Sequence, residues 1–140
     1  MILLDTNVVS EAMRPAPDAA VVDWLNRQDS SRIALSTISV AELSYGLQCL
    51  ADGQRKRMLA DRFEQFLRRG FAHRIFGFDE PAALAYGELM AHRRSIGRPM
   101  SVLDGQIAAI ARCRGFALAT RNTSDFEHTA VDLLDPWTGR

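Results

Sequence analysis

Short apolar runs alternate with stretches of helical period along this chain, and no hairpin dipeptide joins one apolar run directly to the next. That alternation constrains the fold more than any single residue does. Strands connected only through an intervening helix pair in parallel, because the helix carries the chain back to the edge where the previous strand began. A parallel sheet has both faces covered by those helices, so the expected architecture is a three-layer α/β/α sandwich around a central, mainly parallel sheet of four or five strands. A length of 140 residues with 47% hydrophobic content supplies one core of this kind, and a single domain over 1–140 is expected.

Strand candidates fall at 1–4, 32–35, 73–78, 116–120 and 131–134. Asp5-Thr6-Asn7 offers N-cap side chains for a helix reaching Arg14, Pro15 and Pro17 end it, and Asp18 can cap a second helix to Gln28. A helix from Thr37 toward Leu50 carries Val40, Leu43, Leu47 and Leu50 at three- and four-residue intervals. After Asp52-Gly53 another helix presents Met58, Leu59, Phe63, Phe66 and Leu67 as its inward face, with Gly70 as terminator. Pro81 stands in the first turn of a helix to Ser95, and Ser101 opens a last helix that Gly115 ends after Arg114.

In open α/β sheets the functional crevice lies beyond the carboxyl ends of the strands. Four carboxylates fall near such positions. Asp5 directly follows the first apolar run, where N-capping is its ordinary role. Glu42 completes Ser39-Val40-Ala41-Glu42 and Asp104 completes Ser101-Val102-Leu103-Asp104, both in the pattern of a capping box. Helical projection, however, puts Asp104 on the face of Ile107, Ala108 and Ala111, and an acid on a buried stripe must be paired or coordinate a metal. Asp125 follows the fourth strand candidate, where Asn122 can cap and an ordinary turn accounts for the acid. What favours a common role is convergence: in a parallel sheet all four meet at one edge. Carboxylates about 4 Å apart repel by roughly 4 kcal/mol at an effective dielectric near 20, so such a cluster protonates or binds cations. Oxygen ligands without His or Cys select Mg²⁺ or Mn²⁺ over zinc.

Formal net charge is zero, but without these four acids 13 acidic residues face 17 basic ones, so the remainder of the molecule is positive. Basic residues cluster at Arg55, Lys56, Arg57, Arg62, Arg68 and Arg69 and again at Arg93, Arg94 and Arg98, positions read mainly as solvated helical faces. Cys49 and Cys113, without CxxC spacing, are expected as buried thiols, and His73, His92 and His128 form no zinc pattern. No signal-peptide pattern opens the chain and no apolar run spans a bilayer, so no membrane role is expected and the cytoplasm is the expected location.

Leu3-Leu4-Asp5-Thr6-Asn7, Ser36 through Glu42-Leu43 with Gly46, Asp104, and Ala119-Thr120-Arg121-Asn122-Thr123-Ser124-Asp125-Phe126 resemble, in this order and across essentially the whole chain, the motif blocks of the PIN-domain family. Within it they look most like the VapC-type toxin ribonucleases of bacterial toxin-antitoxin pairs. The resemblance implies Mg²⁺- or Mn²⁺-dependent endonucleolytic cleavage of RNA that leaves a 5′-phosphate and a 3′-hydroxyl. It also implies a homodimer, inhibition by a small cognate antitoxin whose tail enters the active site, and contact with operator DNA through that antitoxin. By correspondence with the family's motif, Asp5, Glu42 and Asp104 are the core site acids. The fourth position is either that of Asn122 or that of Asp125; Asp125 is favoured, with Asn122 as a neutral ligand. Thr6, Asn7, Ser39, Thr120 and Arg121 are supporting polar groups.

Two other readings compete. Aspartyl-phosphate phosphatases also place an Asp after their first strand, but they require a second Asp where this chain has Asn7, and no glycine-rich phosphate loop is present. The alternative within the resemblance is a weakly or non-catalytic regulatory module that binds operator DNA through its antitoxin.

Overall fold

A computed structural model describes residues 1–139. Its elements are β1 (Ile2–Leu4), α1 (Thr6–Ala12), α2 (Ala19–Asn26), β2 (Ile33–Ser36), α3 (Thr37–Gln48), α4 (Gln54–Gly70), β3 (Ile75–Phe76), α5 (Glu80–Ser95), α6 (Val102–Arg114), β4 (Ala117–Ala119) and β5 (Leu133–Leu134). Single 3₁₀ turns at Ser30–Arg32 and Thr123–Phe126 complete them. The five strands form one sheet in the order β3-β2-β1-β4-β5, with every pairing parallel. The chain therefore builds outward from β1 through β2 to β3, then returns to place β4 on the other side of β1.

Alternation along these short strands separates two cores. Leu3, Ala34 and Leu118 face one side, where they pack with Ala82 and Leu89 of α5, Ile107 to Ala111 of α6, and Phe126. Leu4, Leu35 and Ala119 face the other, against Val8 and Val9 of α1, Val21 and Trp24 of α2, and Phe71 just beyond α4. Helices on both faces of a parallel sheet are the three layers expected from the alternation.

The local signals act as their chemistry dictates. Asp18 accepts from the Ala20 amide at 2.8 Å, and Asp79 caps α5 through the Ala82 amide at 3.1 Å, with Pro81 in the first turn. Gly115 ends α6 at φ 68°, a left-handed conformation that glycine adopts without strain.

Three expectations are corrected. Met58, read as part of the inward face of α4, is exposed, and on the apolar stripe of α3 Val40, Leu43 and Leu47 are only half-buried while Leu50 is exposed. The reason is that α3 and α4 pack against each other at the flank of the sheet and leave a groove between themselves and α1, rather than closing on the core. Cys49, at the carboxyl cap of α3, is exposed, and Cys113 is half-buried. Arg93 belongs to no solvated face: it is 4% exposed.

Helices α5 and α6 approach closely at Gly105, where an added Cβ would stand 2.5 Å from Met90 Sδ and 3.0 Å from Tyr86 Cε2. Alanine needs only the flexible end of Met90 to move, but a branched side chain also drives into the Tyr86 ring. Gly105→Val is expected to lower stability by about 1–3 kcal/mol in chemical denaturation, with Gly105→Ala costing less.

Candidate active site

The strand order reverses between β1 and β4, and the crevice at such a switch point is where an open α/β sheet binds its ligand. Asp5 stands there as the residue after β1. Its amide donates to Ala119 O at 2.9 Å, extending the β1–β4 pairing by one residue. Its carboxylate is held by both oxygens: Oδ1 accepts from the Thr6 amide at 2.8 Å, and Oδ2 accepts from Thr120 Oγ1, also at 2.8 Å. Thr120, fully buried after β4, accepts in turn from the Asn122 amide at 3.1 Å and from Asn7 Nδ2 at 3.4 Å, while Asn7 Oδ1 accepts from the Arg121 amide at 3.4 Å.

Glu42 arrives from α3 by a route the capping-box pattern did not show. Ser36, three residues earlier than Ser39, is the N-cap of α3, its hydroxyl accepting from the Ser39 amide at 3.1 Å. Glu42 is thereby one turn inside the helix, with its carboxylate turned across to α1. Thr6 Oγ1 lies 2.9 Å from Glu42 Oε1 and 2.8 Å from Ser39 Oγ. A threonine hydroxyl has one proton, and the charged acceptor takes it, so the buried Ser39 hydroxyl donates to Thr6. One residue, Thr6, thus orients Asp5 through its amide and Glu42 through its hydroxyl.

Asp104 enters in the first turn of α6, whose N-cap Ser101 accepts from the Asp104 amide at 3.3 Å. Asp5, Glu42 and Asp104 line a single cleft of about 450 Å³ together with Thr6, Asn7, Ser10, Glu11, Arg14, Arg121, Asn122 and Trp137. Of the two candidates for the fourth position, Asn122 is on the cleft wall. Asp125 lies in the 3₁₀ turn, exposed and outside the lining, although its charge acts on Asp104.

Glu11 is a cleft acid that the sequence reading missed. It is 8% exposed and paired with Arg14 at 3.0 Å. The signal was available in helical spacing, because Glu11 is four residues beyond Asn7 and Arg14 three beyond Glu11, which puts all three on one face of α1.

Burial pushes the Asp5 carboxyl above its ordinary pKa of 3.8, the bonds from Thr120 and Thr6 oppose this, and the charges of Asp104 and Glu42 add to it. Asp104 is raised as well, first by burial and then by Asp125, against the hydroxyl of Ser101. These are half-dehydrated acids that repel one another, which is the condition that a cation relieves. The donors are all hard oxygens, with no cysteine or histidine in the lining, and so suit a divalent cation of the Mg²⁺ kind. Among the described residues no three of the acids converge on one point as the side chains stand. An ion held by these acids would need water to complete its ligand set, as Mg²⁺ commonly does.

The model of the PIN domain family matches residues 2–132. The chain belongs to that family. Among relatives of this PIN domain, the VapC ribonuclease Y4jK of Sinorhizobium fredii is 41% identical over 98% of each chain. Toxin FitB of Neisseria gonorrhoeae is 42% identical over 98% of this chain and 99% of its own length. The solved structure of FitAB bound to an IR36 DNA fragment contains a chain that superposes with a TM-score of 0.94 at 41% identity, covering 98% of this chain and 96% of that one.

Two further features of the PIN domain border the cleft. A groove of about 810 Å³ between α1, α3 and α4 shares Thr6, Ser10, Arg14 and Glu42 with it and continues along Met13, Leu43, Leu47, Leu59 and Phe63 beside Arg55 and Arg62. On the opposite side, buried Arg93 of α5 donates to the carbonyls of Arg98, Asp125 and Glu127, fastening the loop that carries Asn122 and Asp125. That loop holds His128 and Ala130 at φ 62° and 60°, so its conformation is imposed by such anchors rather than by local preference.

Because the Asp5 pKa is raised, its ionised form costs the folded state stability above the ordinary value of 3.8, in full once the pH passes the raised folded value. In acid, where folded and unfolded chains both hold the proton, the cost disappears. Metal-free Asp5→Asn is therefore expected to melt above the unsubstituted protein at neutral pH, with the gain vanishing as the pH falls to that ordinary value; melting curves across pH measure this. Arg93→Lys, whose compact ammonium cannot occupy the separate Nε and Nη1 positions that reach these carbonyls, is expected to lose about 2 kcal/mol in denaturation and to speed amide exchange across 122–128.

Proposed function

We propose that this PIN domain is a Mg²⁺- or Mn²⁺-dependent endoribonuclease, the toxin of a toxin-antitoxin pair, hydrolysing RNA phosphodiester bonds in the cytoplasm. The observation that carries the reading is the meeting of Asp5, Glu42 and Asp104 in one cleft at the switch point of the sheet. Relatives above 40% identity named a ribonuclease and a toxin support it.

Asp5, Glu42 and Asp104 would hold the cation, with Asn122 on the cleft wall and Asp125 close enough to act through water. When bound, the cation supplies Lewis acidity toward phosphate oxygens and a more acidic water. The chain's own contribution is orientation. Asp5 is fixed at both oxygens, and Glu42 is fixed by Thr6, so little rearrangement is needed when substrate arrives. Thr120, Asn7 and Ser39 hold these holders, a chain of bonds crossing from β4 to α1 to α3.

The groove beside the cleft suits the tail of a small antitoxin: its apolar side chains bury a peptide, its arginines meet acidic residues, and it opens where Glu42 stands. Operator DNA would be reached through that antitoxin, a reading supported by the DNA-bound FitAB relative. Exposed apolar side chains on α5 and α6 and in their connection, Leu84, Ile96, Val102 and Leu103, fit a homodimer. No helix of the described residues is long and apolar enough to cross a membrane.

The test uses antitoxin-free protein and single-stranded RNA with Mg²⁺, with Mn²⁺ and with chelator. Cleavage is expected with either ion and not with chelator, and Asp5→Asn is expected to fall to background while remaining folded. Thr6→Val keeps the shape and the amide of Thr6 but removes the proton given to Glu42, so a loss of about tenfold is expected. Metal-independent cleavage, or full activity in Asp5→Asn, would overturn the assignment.

A further inference from the structure

The cleft contains two arginines, and they are not equivalent. Arg14 is committed to Glu11 by an ion pair at 3.0 Å. Arg121 forms no ion pair among the described residues; its guanidinium carbon lies 5.2 Å from the centroid of the Trp137 ring, and its side chain is exposed. Trp137 is half-buried, packed against the core cluster of β1, α1 and α2, and its amide donates to Asp135 Oδ1 at 2.9 Å. The ring is thus a fixed base for the guanidinium above it. The amide of Arg121 is anchored as well, through Asn7 Oδ1, within the same network that holds Asp5.

A cation at the wall of an acidic cleft would ordinarily fold down onto a carboxylate. Arg121 instead lies over the Trp137 ring, which stabilises a positive charge over its face by about 0.5–1 kcal/mol at exposed sites, comparable to what an exposed ion pair would contribute. What remains is a planar, undischarged cation with its N–H edge and outer face open. A guanidinium edge recognises phosphate, and a guanidinium plane stacks on a nucleobase.

We propose that Arg121, supported on Trp137, forms a nucleotide subsite at the wall of the acidic cleft, binding one phosphate of the RNA by its edge and stacking the adjoining base on its outer face. This rests on the ribonuclease reading above and adds to it the element that positions the strand. The subsite gives the protein a way to hold an anion beside carboxylates that would otherwise repel it. It also favours single-stranded substrate, since a paired base cannot turn its face to the arginine.

The test is kinetic, on a single-stranded RNA centred on a mapped cleavage bond and on the same RNA made abasic at each flanking nucleotide in turn. Arg121→Ala is expected to raise KM by about tenfold, with the larger part of the loss in KM rather than kcat. At one flanking position the abasic RNA is expected to cost the unsubstituted protein only the stacking part of that loss, since the phosphate contact remains, while Arg121→Ala shows no further loss there, so that the two changes are not additive. Arg121→Lys restores charge without the plane; it is expected to recover part of KM and none of the dependence on the base. Trp137→Phe keeps a ring under the arginine and should fall between the unsubstituted protein and Arg121→Ala. If the protein cleaves RNA but the losses add at every flanking position, or Arg121→Lys restores base dependence in full, the subsite is wrong and the ribonuclease reading stands. If no RNA is cleaved under any metal condition, both fall together.

Discussion

The bond from the Asp5 amide to the Ala119 carbonyl is the constraint on which the site depends. It carries the pairing of β1 and β4 one residue past the strands, where the next residue on one is an aspartate and on the other a threonine. The two then meet at 2.8 Å. Parallel pairing is what makes this possible, because only parallel strands present their carboxyl ends at the same edge. The reversal of strand order at that edge puts α1 and α6 on opposite faces of the sheet and leaves an opening between their amino ends. The position of Asp5 is therefore a property of the sheet, while Glu42 and Asp104 are brought to it by helices that pack on the sheet's flank and opposite face.

That arrangement opposes stability. Asp5 is nearly buried, acidic and close to other acids, and its raised pKa registers the cost. A protein selected only to fold would place an apolar or neutral residue there. The Thr120 hydroxyl and the Thr6 amide reduce the cost without removing it, and together with the Thr6 hydroxyl on Glu42 they restrict the carboxylates to one orientation each. A residue that is oriented, and whose ionised form is held under repulsion, is prepared to meet a cation, since binding then relieves strain already present instead of demanding reorganisation.

Much of the fold was legible in the sequence, and the parts that were not share a cause. The five strands, their parallel pairing and the caps at Asp18, Asp79 and Gly115 follow from local patterns that the tertiary structure leaves in place. The α3 stripe misled because apolar period reports a face but not its neighbour: Leu43 and Leu47 line a groove, and periodicity alone has no means of distinguishing that from core. Glu42 had an ordinary local explanation in the sequence that the structure removes. Its capping-box spacing from Ser39 is incidental, since Ser36 caps the helix, and its real partner is Thr6, 36 residues away in the chain. Arg93 was hidden in a run of basic residues because nothing local marks an arginine two of whose three acceptors lie on a loop more than thirty residues further on.

The arginines also show why a formal charge of zero misrepresents this molecule. Charge acts locally within about 10 Å at moderate salt, so what a substrate meets is the arrangement of groups and not their total. Here one arginine is spent inside the protein on carbonyls, one neutralises Glu11, and one is held over an indole. The first fixes a loop, the second reduces repulsion in the cleft, and the third alone keeps its charge available to an incoming anion. A polyanion approaching four carboxylates needs at least one such group beside them, and the fold provides it by setting Arg121 over Trp137 without an ion pair among the described residues.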